Sequence, residues 1–288
     1  MLEDIPGLSP ERAARLADLV EQCKPLLGRG EGREHAGMEL VQRLLRDLGT
    51  GVMDSIVVTR ELLGAGLGDL GEAKGIVLSS VARITELRAH QQLVDLVEQA
   101  KDVADGVLQL TQSPGATKIV AIDGTGGSGK TTLAGAVAEH IDGAVIVHFD
   151  DFYRPMSDRQ REQLDAEQGY HRYFDWERLR DQVLIPLRDG QAALYQIYDW
   201  NTGQLEAWRE IDSGTVVIVE GVYSTRPELA PYYHFTAYVD TPRDVCLQRV
   251  RDRGENPEEW INRWRAAEDY YLHTTWPQTR AKLLVRGY

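Results

Sequence analysis

The sequence predicts an all-α segment followed by an α/β domain, built on a parallel sheet of about five strands with helices on both faces. Three observations predict it. No Trp, Tyr or Phe occurs through residue 115, whereas all six Trp stand at or beyond Trp176, so the chain changes character partway along. Before that change, apolar residues recur at three-to-four-residue spacing, the period of an amphipathic helix. After it, short apolar runs alternate with helical ones, and buried strands separated by helices imply a parallel sheet covered on both faces.

Taken in order, Ser9-Pro10 reads as a helix cap followed by Pro at the first helical position. Ala13, Leu16, Val20, Cys23 and Leu27 carry the helical period onward, and Pro25 kinks or ends that helix. Residues 5–10, Ile-Pro-Gly-Leu-Ser-Pro, are also similar to the first half of a helix-hairpin-helix motif. Ser9 replaces its second glycine and the surroundings are acidic, which favours a plain helix start. Met38, Val41, Leu44, Leu45 and Leu48 form a second amphipathic run. The apolar series from Val77 to Leu110 reads as one long helix, or two broken near His90-Gln91-Gln92, and the Gly-rich stretch 64–71 separates the pieces. With no chemical constellation in it, 1–115 reads as a packing or homo-oligomerisation domain. Residues 111–115 are the expected linker, since Pro and Gly end the helical pattern. The second domain is then 116–288, with strands expected at 118–123, 144–149, 215–220, 235–240 and 283–286.

Composition excludes several classes of function. A net charge of −13 disfavours nonspecific binding to nucleic acid or anionic lipid, both of which demand a basic face. No run approaches the roughly 20 apolar residues of a membrane span. The N-terminus, Met-Leu-Glu-Asp, lacks a basic and then apolar signal pattern. Cys23 and Cys246 lie far apart, which fits a reduced, cytoplasmic setting better than a disulfide framework.

The chemistry begins at Gly124-Thr-Gly-Gly-Ser-Gly129-Lys130-Thr131, a full match to G-x-x-x-x-G-K-[ST]. An apolar strand, Ile119-Val-Ala-Ile122, precedes it and a helix-forming run follows, as the motif requires. This predicts a P-loop NTPase fold with ATP and Mg²⁺ as cofactors. Gly124, Gly126, Gly127 and Gly129, with Ser128, let the backbone wrap a polyphosphate with its N–H groups inward. The helix beginning near Lys130 adds its positive end, in the run that includes Thr132. Lys130 would reach the β- and γ-phosphates, and Thr131 would offer its hydroxyl to Mg²⁺. The chain has neither the Asn-Lys-x-Asp guanine motif nor the Leu-Ser-Gly-Gly-Gln signature of transporter ATPases.

In an open α/β sheet, ligands sit beyond the carboxyl ends of the strands. The second strand ends His148-Phe-Asp-Asp-Phe-Tyr153, which sets Asp150 and Asp151 near the transferred phosphoryl group. One of them would accept the acceptor hydroxyl's proton or help hold Mg²⁺. Glu220, in Val217-Ile-Val-Glu220-Gly221, would complete the Mg²⁺ shell directly or through water. Alternation in Leu194-Tyr-Gln-Ile-Tyr198 and the turn residues Asn201-Thr202-Gly203 predict a hairpin.

The P-loop, Asp-Asp-Phe-Tyr, Tyr-Phe-Asp (173–175), Tyr-Asp-Trp (198–200), Val-Glu-Gly (219–221) and Val-Asp-Thr (239–241), followed by an Arg-rich segment, occur in order. Over about residues 117–288 the chain resembles the uridine kinase family, within the wider uridine kinase and phosphoribulokinase-like group. The resemblance implies a P-loop kinase that phosphorylates a hydroxyl of a small-molecule acceptor. It further implies Asp150 as catalytic base, Tyr153 lining the acceptor site, and Asp175 gripping ribose hydroxyls. Tyr198 and Trp200 would flank the base, and Glu220 would bind Mg²⁺. Arg249, Arg251 and Arg253 fall in the family's lid, where Arg249 and Arg253 would neutralise charge on the phosphoryl oxygens and Arg251 would face the substrate. Arg263 and Arg265 follow in the same region. The chain departs from the pattern where the family's pyrimidine-reading His should follow the hairpin, and where Trp176-Glu177 replaces His-Pro. The readings are a uridine or cytidine kinase, a kinase of another small acceptor (a sugar, a vitamin-like nucleoside or a specialised metabolite), and a nucleotide-dependent regulatory protein.

Overall fold

The computed structural model describes residues 9–27, 33–64, 70–111 and 115–287, with the side chains of 33–35, 84–90 and 93 left aside. It divides into two compact units, Met1–Val94 and Asp95–Tyr288.

In the first unit, α1 (Pro10–Cys23) starts as the sequence indicates: Ser9 Oγ accepts the Arg12 N–H at 3.3 Å, with Pro10 in the first turn. Pro25 sits in a 3₁₀ turn that closes the helix. Next come α2 (Arg33–Asp47), α3 (Val52–Leu63) and α4 (Leu70–Ser79). Leu16, Val20, Cys23, Val41, Leu45 and Val58 form the buried core. Helix α3 has no counterpart in the sequence reading, because its buried face mixes Asp54, Ser55, Thr59 and Arg60 with Ile56 and Val58. Most of those polar groups are matched: Asp54 pairs with Arg12 and Arg15, Ser55 Oγ donates to Gly51 O at 3.0 Å, and Gln42 Nε2 donates to Thr59 Oγ1 at 2.7 Å. The long apolar series is two helices, but the break falls at a 3₁₀ turn, Val81–Arg83, rather than near His90. Glu39 fixes that turn by accepting from the Ser80 hydroxyl at 2.9 Å and the Ala82 N–H at 2.8 Å. Residues 5–8 of the helix-hairpin-helix resemblance, 65–69 of the Gly-rich stretch and 112–114 of the expected linker lie outside the described residues.

Helix α5 (Ile84–Leu108) runs into the second unit. There follow β1 (Lys118–Gly124), α6 (Lys130–Glu139), β2 (Val145–His148), α7 (Asp158–Glu162), α8 (Ala166–Arg172), α9 (Trp176–Leu179), α10 (Ile185–Arg188), β3 (Ala193–Asp199) and β4 (Gln204–Ile211). The chain ends with β5 (Val216–Glu220), β6 (Phe235–Asp240), α11 (Arg243–Arg253), α12 (Glu258–Thr275), α13 (Pro277–Arg280) and β7 (Leu283–Arg286). The five expected strands form one parallel sheet in the order β2-β5-β1-β6-β7, and β3 and β4 pair as an antiparallel hairpin.

Side chains alternate across a strand, so β1 feeds two cores. Ile119 and Ala121 pack with Val147, Val217, Phe149 and Leu179 on one face. Val120 and Ile122 pack with Leu133, Val137, Phe235, Val103 and Val107 on the other. Because β5 lies between β1 and β2, the chain leaves β1 and skips a place, and a crevice opens beyond the carboxyl ends of these strands. Among the described residues, no helix is long and apolar enough to cross a membrane.

Candidate active site

The loop from β1 to α6 turns on its glycines. Gly124, Gly127 and Gly129 take φ of +152°, +80° and +100°, a region L side chains rarely enter. A Cβ on Gly127 would also strike the Cys246 carbonyl oxygen, and one on Gly124 would meet Val239 O at 2.8 Å. Helix α6 begins at Lys130, so its positive end faces the loop, with Thr131 and Thr132 exposed in its first turn. Lys130 is buried and doubles back, its Nζ donating to Thr125 O at 2.9 Å. Ser128 Oγ is buried without a partner. The Gly126 N–H donates to Glu268 Oε1 at 3.0 Å, and Glu268 Oε2 accepts from Arg243 Nη1 at 2.8 Å. A carboxylate thus occupies a loop donor of the kind that binds phosphate.

Strand register brings the next groups together. The β2–β5 ladder sets His148 beside Glu220, and the β1–β5 ladder sets Ile122 beside it. Glu220 Oε1 accepts from Thr131 Oγ1 at 3.2 Å and lies 2.7 Å from His148 Nδ1. That bond to Glu220 holds the His148 pKa above its ordinary value. Asp150 follows β2 in a 3₁₀ turn, Phe149–Phe152. Desolvation in a crowded recess, then the charge of Glu220, push its carboxyl up to about 6 against the pull of Lys130. The residue is nonetheless partly open to solvent, so water tempers the rise. Asp151 accepts from Tyr195 OH at 3.4 Å and lies 3.6 Å from Arg209 Nη1, and desolvation raises its pKa as well.

Two backbone bonds sew the 149–154 segment to 173–175: Arg154 N donates to Tyr173 O and Asp175 N to Phe152 O, each at 2.8 Å. Asp175 caps α9, accepting the Arg178 N–H at 3.3 Å, and lies 3.4 Å from Arg154 Nη2. The Tyr153 ring stacks on Trp200 at 4.6 Å and meets Tyr198 edge-on at 5.3 Å. Its hydroxyl accepts from Trp264 Nε1 at 3.1 Å. Of the three arginines expected in a lid, Arg249 reaches the loop, its Nη1 donating to Gly127 O at 3.3 Å. Arg251 pairs with Glu258, and Arg253 is exposed at the end of α11.

Sequence reasoning missed His148, Glu268, Arg154, Arg161 and Arg178. Arg178 bonds Asp151 O at 2.9 Å and lies over the Phe152 ring, while Arg161 Nη2 donates to Tyr198 OH at 3.4 Å. One signal was available: Trp260, Trp264 and Glu268 recur every four residues and so share a face of α12. The others acquire their roles only when distant segments meet.

Comparison with known proteins identifies the family. The family model described as phosphoribulokinase / uridine kinase matches residues 119–285. The uridine kinase of Borrelia turicatae (strain 91E135) is 31% identical over 163 residues, which span 55% of this chain and 76% of that protein. The uridine kinase of Halobacterium salinarum (strain ATCC 700922 / JCM 11081 / NRC-1) is 29% identical over 165 residues, 55% and 71% of the two chains. Among solved structures, a possible uridine kinase from Bacillus stearothermophilus matches with a TM-score of 0.53 at 26% identity, covering 67% of this chain and 98% of that one.

Proposed function

The chain belongs to the phosphoribulokinase / uridine kinase family, and on that premise we propose that it moves the γ-phosphoryl group of ATP·Mg²⁺ onto a hydroxyl of a nucleoside-like acceptor. Kinase activity follows from the family; the acceptor and the metal are our reading. The observation that carries it is the convergence of Lys130, Thr131, Asp150 and Glu220 at the strand ends.

Loop N–H groups and Lys130 hold the β- and γ-phosphates, once Nζ leaves Thr125 O. Thr131 and Glu220 offer hard oxygen donors 3.2 Å apart, which fits a Mg²⁺ that takes its other ligands from water and phosphate. When bound there, Mg²⁺ neutralises charge on the phosphoryl oxygens. The Asp150 carboxylate orients the acceptor hydroxyl and takes its proton as the oxygen attacks phosphorus and the bond to ADP breaks. Arg249 stabilises charge on the transferring oxygens. Tyr153 and Asp175 hold the acceptor, and Trp200 over Tyr153 keeps water from competing.

A second reading, a different hydroxylated acceptor, is favoured by the absence of a His in residues 201–211, directly after Tyr198-Asp-Trp200, and by Asp175, which Arg154 already engages. ADP release from ATP·Mg²⁺ against uridine, cytidine, other nucleosides, sugars and pantothenate decides between them. Uridine or cytidine is expected to stimulate, and Lys130→Ala to abolish the response. Stimulation by a sugar or pantothenate alone would favour the second reading. Silence across the panel would overturn both.

A further inference from the structure

Three residues outside 119–285, the span that the family model matches, meet at the end of β7: Gln99 of α5, Arg286 and Gly287. Strand β7 closes the sheet as an edge strand beside β6. An edge strand leaves a row of backbone N–H and C=O groups without a ladder partner. At Arg286 one side chain takes both. Gln99 Oε1 accepts from the Arg286 N–H at 2.6 Å, and Gln99 Nε2 donates to Arg286 O at 3.1 Å. The same Nε2 donates to Asp95 O, one turn earlier, at 3.1 Å, which braces the amide on its own helix. Gln99 precedes Ala100 and stands four residues before Val103, beside the stripe of α5 that the sheet buries.

Gly287 carries this tie to the phosphate loop. Its N–H donates to Asp240 O at 2.8 Å, which extends the β6–β7 ladder by one residue. A Cβ there would strike Thr241 Oγ1 and come within 3.0 Å of Ser128 O. Thr241 Oγ1 in turn donates to Ser128 O at 2.8 Å, and both residues are buried. The Ser128–Gly129 peptide is planar and trans, so its N–H points opposite to its C=O. Holding Ser128 O therefore sets the direction of the Gly129 N–H, a donor of the kind that meets phosphate in such a loop. We propose that Gln99 is a positioning residue for nucleotide binding: through Arg286, Gly287 and Thr241 it fixes the Gly129 N–H, which makes α5 a working part of the nucleotide site. This rests on reading 124–132 as the nucleotide loop, and it extends that site to a helix the family model does not reach. A glutamine amide suits the task, because one planar group accepts and donates side by side.

The test uses the full chain with ADP and Mg²⁺ as the probe, titrated calorimetrically well below the melting temperature. Gln99→Ala keeps the helix, since alanine is its strongest former. It should weaken ADP binding about threefold to tenfold, as for one or two neutral hydrogen bonds, and move the amide resonance of Gly129. Equal ADP binding by the parent and Gln99→Ala overturns the proposal. If that variant also melts lower, Gln99 caps the strand edge and has no part in the site. Thr241→Val removes the hydroxyl from the path at nearly constant shape. If Gln99 acts through Thr241, Gln99→Ala should change ADP affinity less than about twofold in the Thr241→Val background. Effects that simply multiply would mean that Gln99 bypasses Thr241, and would overturn the path. A parent chain that binds no ADP removes the nucleotide-loop reading and the proposal with it, whereas parent binding that Gln99→Ala leaves unchanged removes the proposal alone.

Discussion

Asp150 carries its carboxyl into a recess that already holds Glu220 and Asp151, and its pKa rises to about 6 from an ordinary 3.8. A carboxyl with a raised folded-state pKa binds protons more tightly in the folded chain than in the unfolded one. Its favourable contribution is therefore present at low pH and is lost as pH climbs from about 4 through about 6. Asp150→Asn should abolish transfer, yet melt no lower than the parent at pH 7.5. A clear fall in Tm would show that Asp150 stabilises the fold instead. If Asp150 is the base, as proposed, it works deprotonated, and kcat/KM of the parent enzyme should drop on the acid side with a midpoint near pH 6. A profile flat from pH 5 to 8 would contradict the assignment. Of the proposed site, Lys130 and Thr131 could be read from the phosphate-loop motif, and Asp150 and Glu220 from their places at the ends of apolar strands. His148 and Glu268 could not. Their partners, Glu220 and Gly126, stand 72 and 142 residues away, and only the sheet register and the path of α12 bring them together.

The elements repeat this contrast. Strands β1, β5 and β6 are buried along most of their length and the edge strands β2 and β7 are short apolar runs, so each shows in the sequence, and the five were found within a residue or so of their true bounds. The break between α4 and α5 was misplaced for a definable reason. Polar Gln91 and Gln92 sit inside α5 without interrupting it, whereas the true break depends on Glu39, a residue of another helix. In the phosphate loop, geometry leaves no room for a side chain. Gly127 combines φ of +80° with direct contact on the Cys246 carbonyl. Gly127→Ala should cost about 1–2 kcal/mol for the left-handed backbone alone, before any clash. Urea unfolding should show that loss, accompanied by weaker ADP binding. Unchanged values of both would mean that the loop can adopt another path.

At the scale of the whole chain, the compact units divide between Val94 and Asp95, ahead of the linker at 111–115 that the sequence suggests. The aromatic-free composition continues past the division, because Ala100, Val103, Ala104 and Val107, flanked by Leu96 and Leu110, cover the sheet without an aromatic ring. Gly106 even abuts the Phe235 ring. A fragment of residues 95–288 should therefore outlast one of 116–288 in urea, since the shorter one loses the four buried α5 side chains that cover the sheet face. Equal midpoints would return the boundary to the linker. Helix α12 meanwhile touches both the phosphate loop and the proposed acceptor site. Glu268 sits on the Gly126 N–H, while four and eight residues earlier Trp264 and Trp260 border the acceptor side, with Trp264 bonded to Tyr153. A phosphate that claims the Gly126 N–H evicts Glu268, and an acceptor pressing on Trp264 leans on the same rod. If each event moves α12, the two substrates are thermodynamically linked, and the factor by which ATP alters acceptor affinity must equal the factor by which acceptor alters that of ATP.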